Sequence, residues 1–219
     1  MAIEVVFLDI GGVLYGDDGY REALRRALRE AGASFTDEAF DEEYRACRRE
    51  QSGSFRERLT RAFLGPDADV ADVQRRAERW WRYTSEDLEP DAIPALEALH
   101  SRYRIGLIAN QPTAVREAIR RDGIEPFVDV WAVSADVGFD KPDSRLFEHA
   151  VAKAGVAPPC AAMAGDRLDY DVRPARAAGM HAIWVLRGEA PDEPTPGQLA
   201  EADAAIRSLA ELPDVLETM

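Results

Sequence analysis

The chain has 219 residues, 46% of them hydrophobic and 31% charged, with a net charge of −14 at pH 7. That excess of acid excludes nucleic acid as a general partner, since no basic surface neutralises a phosphate backbone, but leaves room for one small phosphorylated molecule at a local positive site. Apolar content is that of an ordinary globular chain without a membrane-length run, and the only two cysteines, Cys47 and Cys160, lack metal-ligand spacing, which excludes a disulfide framework or a zinc site.

The first predicted element is an apolar strand, Ile3 to Leu8. It begins without the basic region and apolar core of a leader, so a reducing cytoplasm is the expected location. The strand ends on Asp9, and Gly11 and Gly12 follow, so the backbone can turn sharply and approach a ligand closely. From Tyr15 to about Glu89 the character changes to helix after helix. Asp18 is a candidate cap for a helix running to Ala31, with Ala23, Leu24, Ala27 and Leu28 on one face. Thr36 starts a second helix carrying Phe40 and Tyr44. Phe55, Leu59 and Phe63 mark a third, stopped at Gly65-Pro66, and Val70, Val73, Ala77, Trp80 and Trp81 a fourth. Trp80 and Trp81 are adjacent and cannot both face one core, so one of them is expected to line a cleft.

From Asp91 onwards strands and helices alternate. Pro94–Arg102 reads as helix, Arg104–Ala109 as a nearly all-apolar strand of a sheet covered on both faces. Thr113–Arg121 is helical, Val128–Val133 a strand, and Pro142–Ala154 a helix followed by Gly155. Ala161–Ala164 and His181–Leu186 are strands flanking a helix over Asp171–Ala178. Ala204–Ile206 adds a last short strand. Alternation of this kind implies an α/β fold with a doubly wound parallel sheet. The helical block is then an insertion: residues 1–15 and 91–219 form the core and residues 16–90 a helical cap. No pattern in the sequence sets the oligomeric state.

Ligands bind an open parallel sheet beyond the carboxyl ends of its strands. Four polar residues fall there: Asp9, Asn110, Lys141 and Asp166. Lys141 is one of only two lysines among 27 basic residues, so its choice over arginine is informative. Two carboxylates and a backbone carbonyl can hold Mg²⁺, which prefers hard oxygen ligands. Asp9 can then attack phosphorus to form an acyl phosphate, with Lys141 offsetting the charge.

The order D-x-x-G-V-L, an apolar strand ending in Asn, K-P and G-D-x-x-x-x-D resembles the haloacid dehalogenase superfamily, and the insertion resembles its α-helical cap. The resemblance implies a Rossmann-like core and a hydrolase acting on a small phosphorylated metabolite. It implies Asp9 as nucleophile, Lys141 and Asn110 as catalytic partners, and Asp9, the Gly11 carbonyl and Asp166 as Mg²⁺ ligands. Asp171, with Asp169 beside it, would hold Lys141 or metal-bound water. Gly11, Gly12, Asn110 and Tyr15 are the expected substrate contacts.

Two positions depart from the family pattern. Phosphatases of the superfamily usually place Asp, the general acid and base, where this chain has Gly11. They usually place Ser or Thr where it has Ala109. Loss of the acid predicts a preference for esters with good leaving groups, such as anomeric sugar phosphates. Asp17 and Asp18 are read as caps of the first cap helix rather than as its replacement, because Asp is a common N-cap. Two other readings stand: a dehalogenase using Asp9 on carbon, and a catalytically weakened protein that binds a ligand or partner.

Overall fold

The structure, a computed structural model, describes residues 2–219. Six parallel strands form one sheet: β1 (Val5–Leu8), β2 (Arg104–Ala109), β3 (Val130–Val133), β4 (Ala161–Gly165), β5 (His181–Val185) and β6 (Ala204–Ile206), in the order β3-β2-β1-β4-β5-β6. Phe7 pairs with Gly106 on one side and Met163 on the other, so β1 is central. After β3 the chain crosses back over β1 to place β4. The carboxyl ends of β1 and β4 therefore flank the point where the winding reverses, the crevice that doubly wound sheets offer to ligands.

Successive strand residues point to opposite faces, and both faces are covered. Val6, Leu8, Ile105, Leu107 and Ile183 pack beneath α5 (Ala92–His100), α6 (Val115–Arg121) and α11 (Leu212–Glu217). Val5, Phe7, Ile108, Met163 and Trp184 pack beneath α8 (Ser144–Ala154) and α9 (Arg173–Ala177). Between β1 and α5 the chain builds the cap: α1 (Asp18–Glu30), α2 (Asp37–Glu50), α3 (Phe55–Leu64) and α4 (Val70–Trp80). These helices close on their own apolar cluster of Leu24, Leu28, Phe40, Cys47, Leu59 and Val73. Thr36, Ser54 and Asp69 each accept a backbone N–H of the first turn, which fixes where α2, α3 and α4 begin.

Several element boundaries shift by one or two residues from the sequence pattern, and two of the shifts have a clear local cause. The helix expected from Pro142 starts at Ser144, because Asp143 is its cap and accepts the Arg145 N–H at 3.0 Å. The helix expected from Asp171 is preceded by a wide turn over Leu168–Val172, with α9 following only at Arg173. That turn carries Asp171 back beneath the end of β4, against Gly165. A wide helical turn of this kind is often retained at a functional site. Among the described residues no helix is long and apolar enough to cross a membrane.

Candidate active site

Asp9 leaves the end of β1 and is 9% exposed. Its Oδ1 accepts the Ile10 N–H at 2.7 Å, and its Oδ2 lies 2.7 Å from Lys141 Nζ. The same ammonium stands 2.7 Å from Asp171 Oδ1. Asn110, at the end of β2, clamps the lysine from behind: its Oδ1 accepts the Lys141 N–H at 2.6 Å and its Nδ2 donates to the Lys141 carbonyl at 2.9 Å. Burial raises the Asp9 carboxyl to about 6, a rise that Lys141 limits. Burial opposes the charge of Lys141, but Asp171 and Asp9 outweigh it and hold the amine above its ordinary range.

Asp166 follows β4. Its Oδ2 accepts the Glu189 N–H at 2.6 Å, and its carbonyl accepts the Trp184 indole N–H at 2.8 Å. One oxygen from each of Asp9, Asp166 and Asp171 lies within 4.8 Å of the others. Lys141 serves Asp9 and Asp171, but among the described residues Asp166 has no cationic partner. Burial, then Asp17, Asp171 and Asp9, push its carboxyl well above the usual carboxylate range. A buried carboxylate with like charges on every side is expensive unless a cation joins it. The donors are hard oxygens and the missing charge is positive, so the site fits a magnesium ion. Asp171 belongs more to Lys141 than to a metal, since its second oxygen accepts the Arg167 N–H at 3.0 Å. Asp169 does not reach Lys141; it holds the Arg167 guanidinium and the Gly53 N–H.

The rim opens into a cavity of about 690 Å³ roofed by the cap, lined among others by Tyr20, Tyr44, Arg56, Trp81, Tyr83 and Gln111. Two expected substrate contacts lie elsewhere. Tyr15 is fully buried in the hinge and donates its hydroxyl to Asp122 at 2.8 Å; Tyr83, stacked on it at 4.5 Å, lines the cavity instead. Gly12 gives its N–H to the Tyr15 carbonyl at 2.7 Å, so the amide closes a turn rather than facing a ligand. It sits at φ +67°, and a Cβ there would meet Asp166 Oδ2 at 2.2 Å, so only glycine lets the two loops approach. Gly11 and Asn110 do face the cavity. Trp81 lines it, edge-on to Tyr83 at 4.6 Å, whereas Trp80 is 47% exposed.

Three residues that pattern reading passed over tie the cap to the core. Arg167, 6% exposed, reaches Glu189 Oε2 and the Gly53 carbonyl at 2.8 Å each, with its guanidinium 3.9 Å from the centre of the Phe55 ring. Gln51, in the left-handed region at φ 50°, accepts the Leu168 N–H at 2.9 Å and donates to the Glu189 carbonyl at 2.7 Å. A non-glycine residue at positive φ is a signal only once coordinates exist.

A family model described as haloacid dehalogenase-like hydrolase matches residues 3–179. Phosphoserine phosphatase from Thermus thermophilus is 38% identical over 147 residues, which are 65% of this chain and 59% of that relative. Glyceraldehyde 3-phosphate phosphatase from Methanopyrus kandleri is 30% identical over 203 residues, 87% of each chain. The crystal structure of CbbY from Rhodobacter sphaeroides in complex with phosphate is similar with a TM-score of 0.72 and 24% identity, covering 98% of this chain and 99% of the other. Matching sequence, a parallel sheet wound about the first strand and an inserted helical cap agree: the chain belongs to the haloacid dehalogenase-like hydrolases.

Proposed function

We propose that this hydrolase releases phosphate from a small phosphorylated metabolite in a Mg²⁺-dependent reaction, through an aspartyl phosphate on Asp9. The observation that carries the reading is the single ammonium of Lys141 held at 2.7 Å from both Asp9 and Asp171, beside an Asp166 that has no cationic partner among the described residues. Asp9, Asp166 and the Gly11 carbonyl would hold Mg²⁺, which supplies the positive charge that lets an anionic phosphate approach a carboxylate. Lys141 orients Asp9 and neutralises charge that grows on the phosphoryl oxygens. Asn110 and Asp171 position Lys141, one through its backbone and one through its ammonium. Asp9 then acts as the nucleophile, splitting one difficult displacement into two easier ones.

The roofed cavity of about 690 Å³ suits a metabolite rather than a protein or polymer substrate. The names of the relatives point the same way, since phosphoserine and glyceraldehyde 3-phosphate are small phosphate monoesters. The reading takes residues 1–15 and 91–219 as the catalytic core, residues 16–90 as a cap that closes over substrate and excludes water, and the cytoplasm as the place of action.

A panel of phosphate esters, assayed with and without Mg²⁺ beside Asp9→Asn, tests it. Metal-dependent phosphate release that vanishes in the variant supports the reading. Chloride release from 2-haloacids without phosphatase turnover replaces it with attack on carbon, and binding without either activity replaces it with a ligand-binding role.

A further inference from the structure

Gly11 leaves the phosphatase reading without a proton-transfer group, and the fold brings one from another part of the chain. A Cβ built on Gly11 meets Asp17 Oδ1 and the Tyr83 hydroxyl, each at 3.0 Å. One built on Gly12 meets Asp17 Oδ2 at 2.8 Å, and one on Gly188 meets the same oxygen at 3.0 Å. The Asp17 carboxylate thus occupies the space that a side chain at position 11 would enter, facing the cavity with Asp9 and Asp166. Gly11, unlike Gly12 and Gly188, is not at positive φ, so its backbone accepts a side chain and only Asp17 and Tyr83 stand in the way.

Asp17 holds the N-cap position of α1, yet its side chain makes no capping hydrogen bond. The capping role expected from the sequence is therefore not the one its carboxylate performs. Of the other acids near it, Glu189 is engaged on Arg167 at 2.8 Å, Glu78 on Gln74 at 2.8 Å and Asp171 on Lys141, whereas Asp140 lies exposed on the cavity lining beside Lys141 and away from the space over Gly11. Asp18 points to solvent, its side chain 88% exposed.

We propose that Asp17 is the general acid and base of this enzyme, delivered from the hinge of the cap into the place that Gly11 leaves open; the proposal rests on the phosphatase reading above. In the first half-reaction an Asp9 oxygen bonds to phosphorus and the ester P–O bond breaks. Its electron pair goes to the leaving oxygen, which takes the Asp17 carboxyl proton and departs as an alcohol. In the second, water bonds to phosphorus as the Asp17 carboxylate takes its proton. The bond between phosphorus and Asp9 breaks, and its electron pair returns to the Asp9 carboxylate. The products are alcohol and inorganic phosphate, and both aspartates are restored. With Asp17 in place, good leaving groups cease to be a requirement, and simple alkyl phosphates become substrates.

The test compares glycerol phosphate, a poor leaving group, with p-nitrophenyl phosphate, a good one, in wild type, Asp17→Asn and the exchange Gly11→Asp/Asp17→Gly. Thermal melting confirms that each variant is folded. Asp17→Asn is expected to lose about 10²–10⁴-fold in kcat on glycerol phosphate. On p-nitrophenyl phosphate it should release one equivalent of nitrophenolate in a burst before a slow steady state, because phosphorylation of Asp9 no longer needs the acid but its hydrolysis still needs the base. The exchange should recover most of the glycerol phosphate rate. Equal loss on both esters without a burst, no loss at all, or a raised Mg²⁺ requirement with unchanged leaving-group dependence overturns the proposal while leaving Asp9-dependent phosphatase activity standing. A wild type idle on every ester, or a fully active Asp9→Asn, removes the phosphatase reading and this proposal together.

Discussion

The rim of the sheet and the underside of the cap face one cavity but are held by different forces. At the rim, every working side chain is fixed by short polar contacts that begin at a strand end. Asp9 is fixed by Ile10 and Lys141, Lys141 by Asp171 and Asn110, and Asp166 by Glu189. Under the cap, the lining is an aromatic assembly of Tyr20, Trp81 and Tyr83 in edge contacts, with Tyr83 stacked on Tyr15 behind it and Arg56 donating to the Tyr20 hydroxyl at 2.7 Å. Rigid elements give a reacting constellation its precision, whereas an adaptable apolar surface selects shapes. The reading proposed above gives the metal and nucleophile to the rim and the fit of the substrate to the cap, with Asp17 at the hinge between them.

The sharpest test of that separation is Asp9→Asn. Turnover should fall on the order of 10⁴-fold or more on every ester, without regard to the rest of the molecule. The melting temperature should hold or rise. Burial lifts the Asp9 carboxyl to about 6, so the ionised group opposes folding above that pH, and the amide removes the penalty. Lys141→Met should act in the opposite direction on stability. It leaves the Asp9 and Asp171 carboxylates buried without their shared cation, a loss of about 3–5 kcal/mol in chemical unfolding without Mg²⁺. It too should lower kcat on all substrates alike. A kcat effect that depended on the substrate would break the comparison, because the rim would then be selecting as well as reacting.

The cap side is expected to respond more weakly and in KM. Gln51→Ala leaves the buried Leu168 N–H and the Glu189 carbonyl without partners, a loss of about 1–3 kcal/mol at the contact that ties the cap tip to the core. Steady-state kinetics should show KM rising several-fold with kcat nearly kept, because the chemistry lies beyond the broken contact. A fall in kcat equal to that of Lys141→Met would show that the cap tip takes part in the reaction.

Much of the rim was legible in the sequence because strand ends punctuate it. Asp9, Asn110 and Asp166 each follow an apolar run, and Lys141 stands out in a chain that otherwise prefers arginine. The sheet itself is predictable from alternation, and Arg104–Ala109 and Ala204–Ile206 coincide with β2 and β6. What escaped depends on approach between distant segments. Asp17 looks like an N-cap by position, and only the packing of Gly11, Gly12 and Gly188 around it shows where its carboxylate goes. Tyr15 and Tyr83 are both buried near the hinge, and only the fold shows that Tyr15 turns to Asp122, 107 residues further on, while Tyr83 reaches the cavity lining. Gln51 carries no local signal, since its partners Leu168 and Glu189 lie in two loops of the other layer.

The smallest expected effect lies in the hinge that joins the two layers. Asp122 accepts hydrogen bonds from Tyr15 at 2.8 Å and Ser85 at 2.5 Å, and pairs with Arg121. The Arg121 guanidinium, then Ser85 and Tyr15, hold its carboxyl down at about 2. A carboxyl depressed in the folded state stabilises above its unfolded value near 4, and that contribution disappears as pH falls through 2. Arg121 is its neighbour in sequence and solvent screens the pair, so the contribution is roughly 1 kcal/mol. Urea unfolding of Asp122→Asn should therefore show wild type ahead by that amount at pH 7, with the gap closing between pH 4 and 2. Activity at pH 7 should change less than in any variant above, because the bonds lost join Tyr15 and Ser85 to the core without touching the rim. A large drop in kcat would instead show that the Tyr15–Asp122 contact sets the position of Asp17, two residues along the chain from Tyr15.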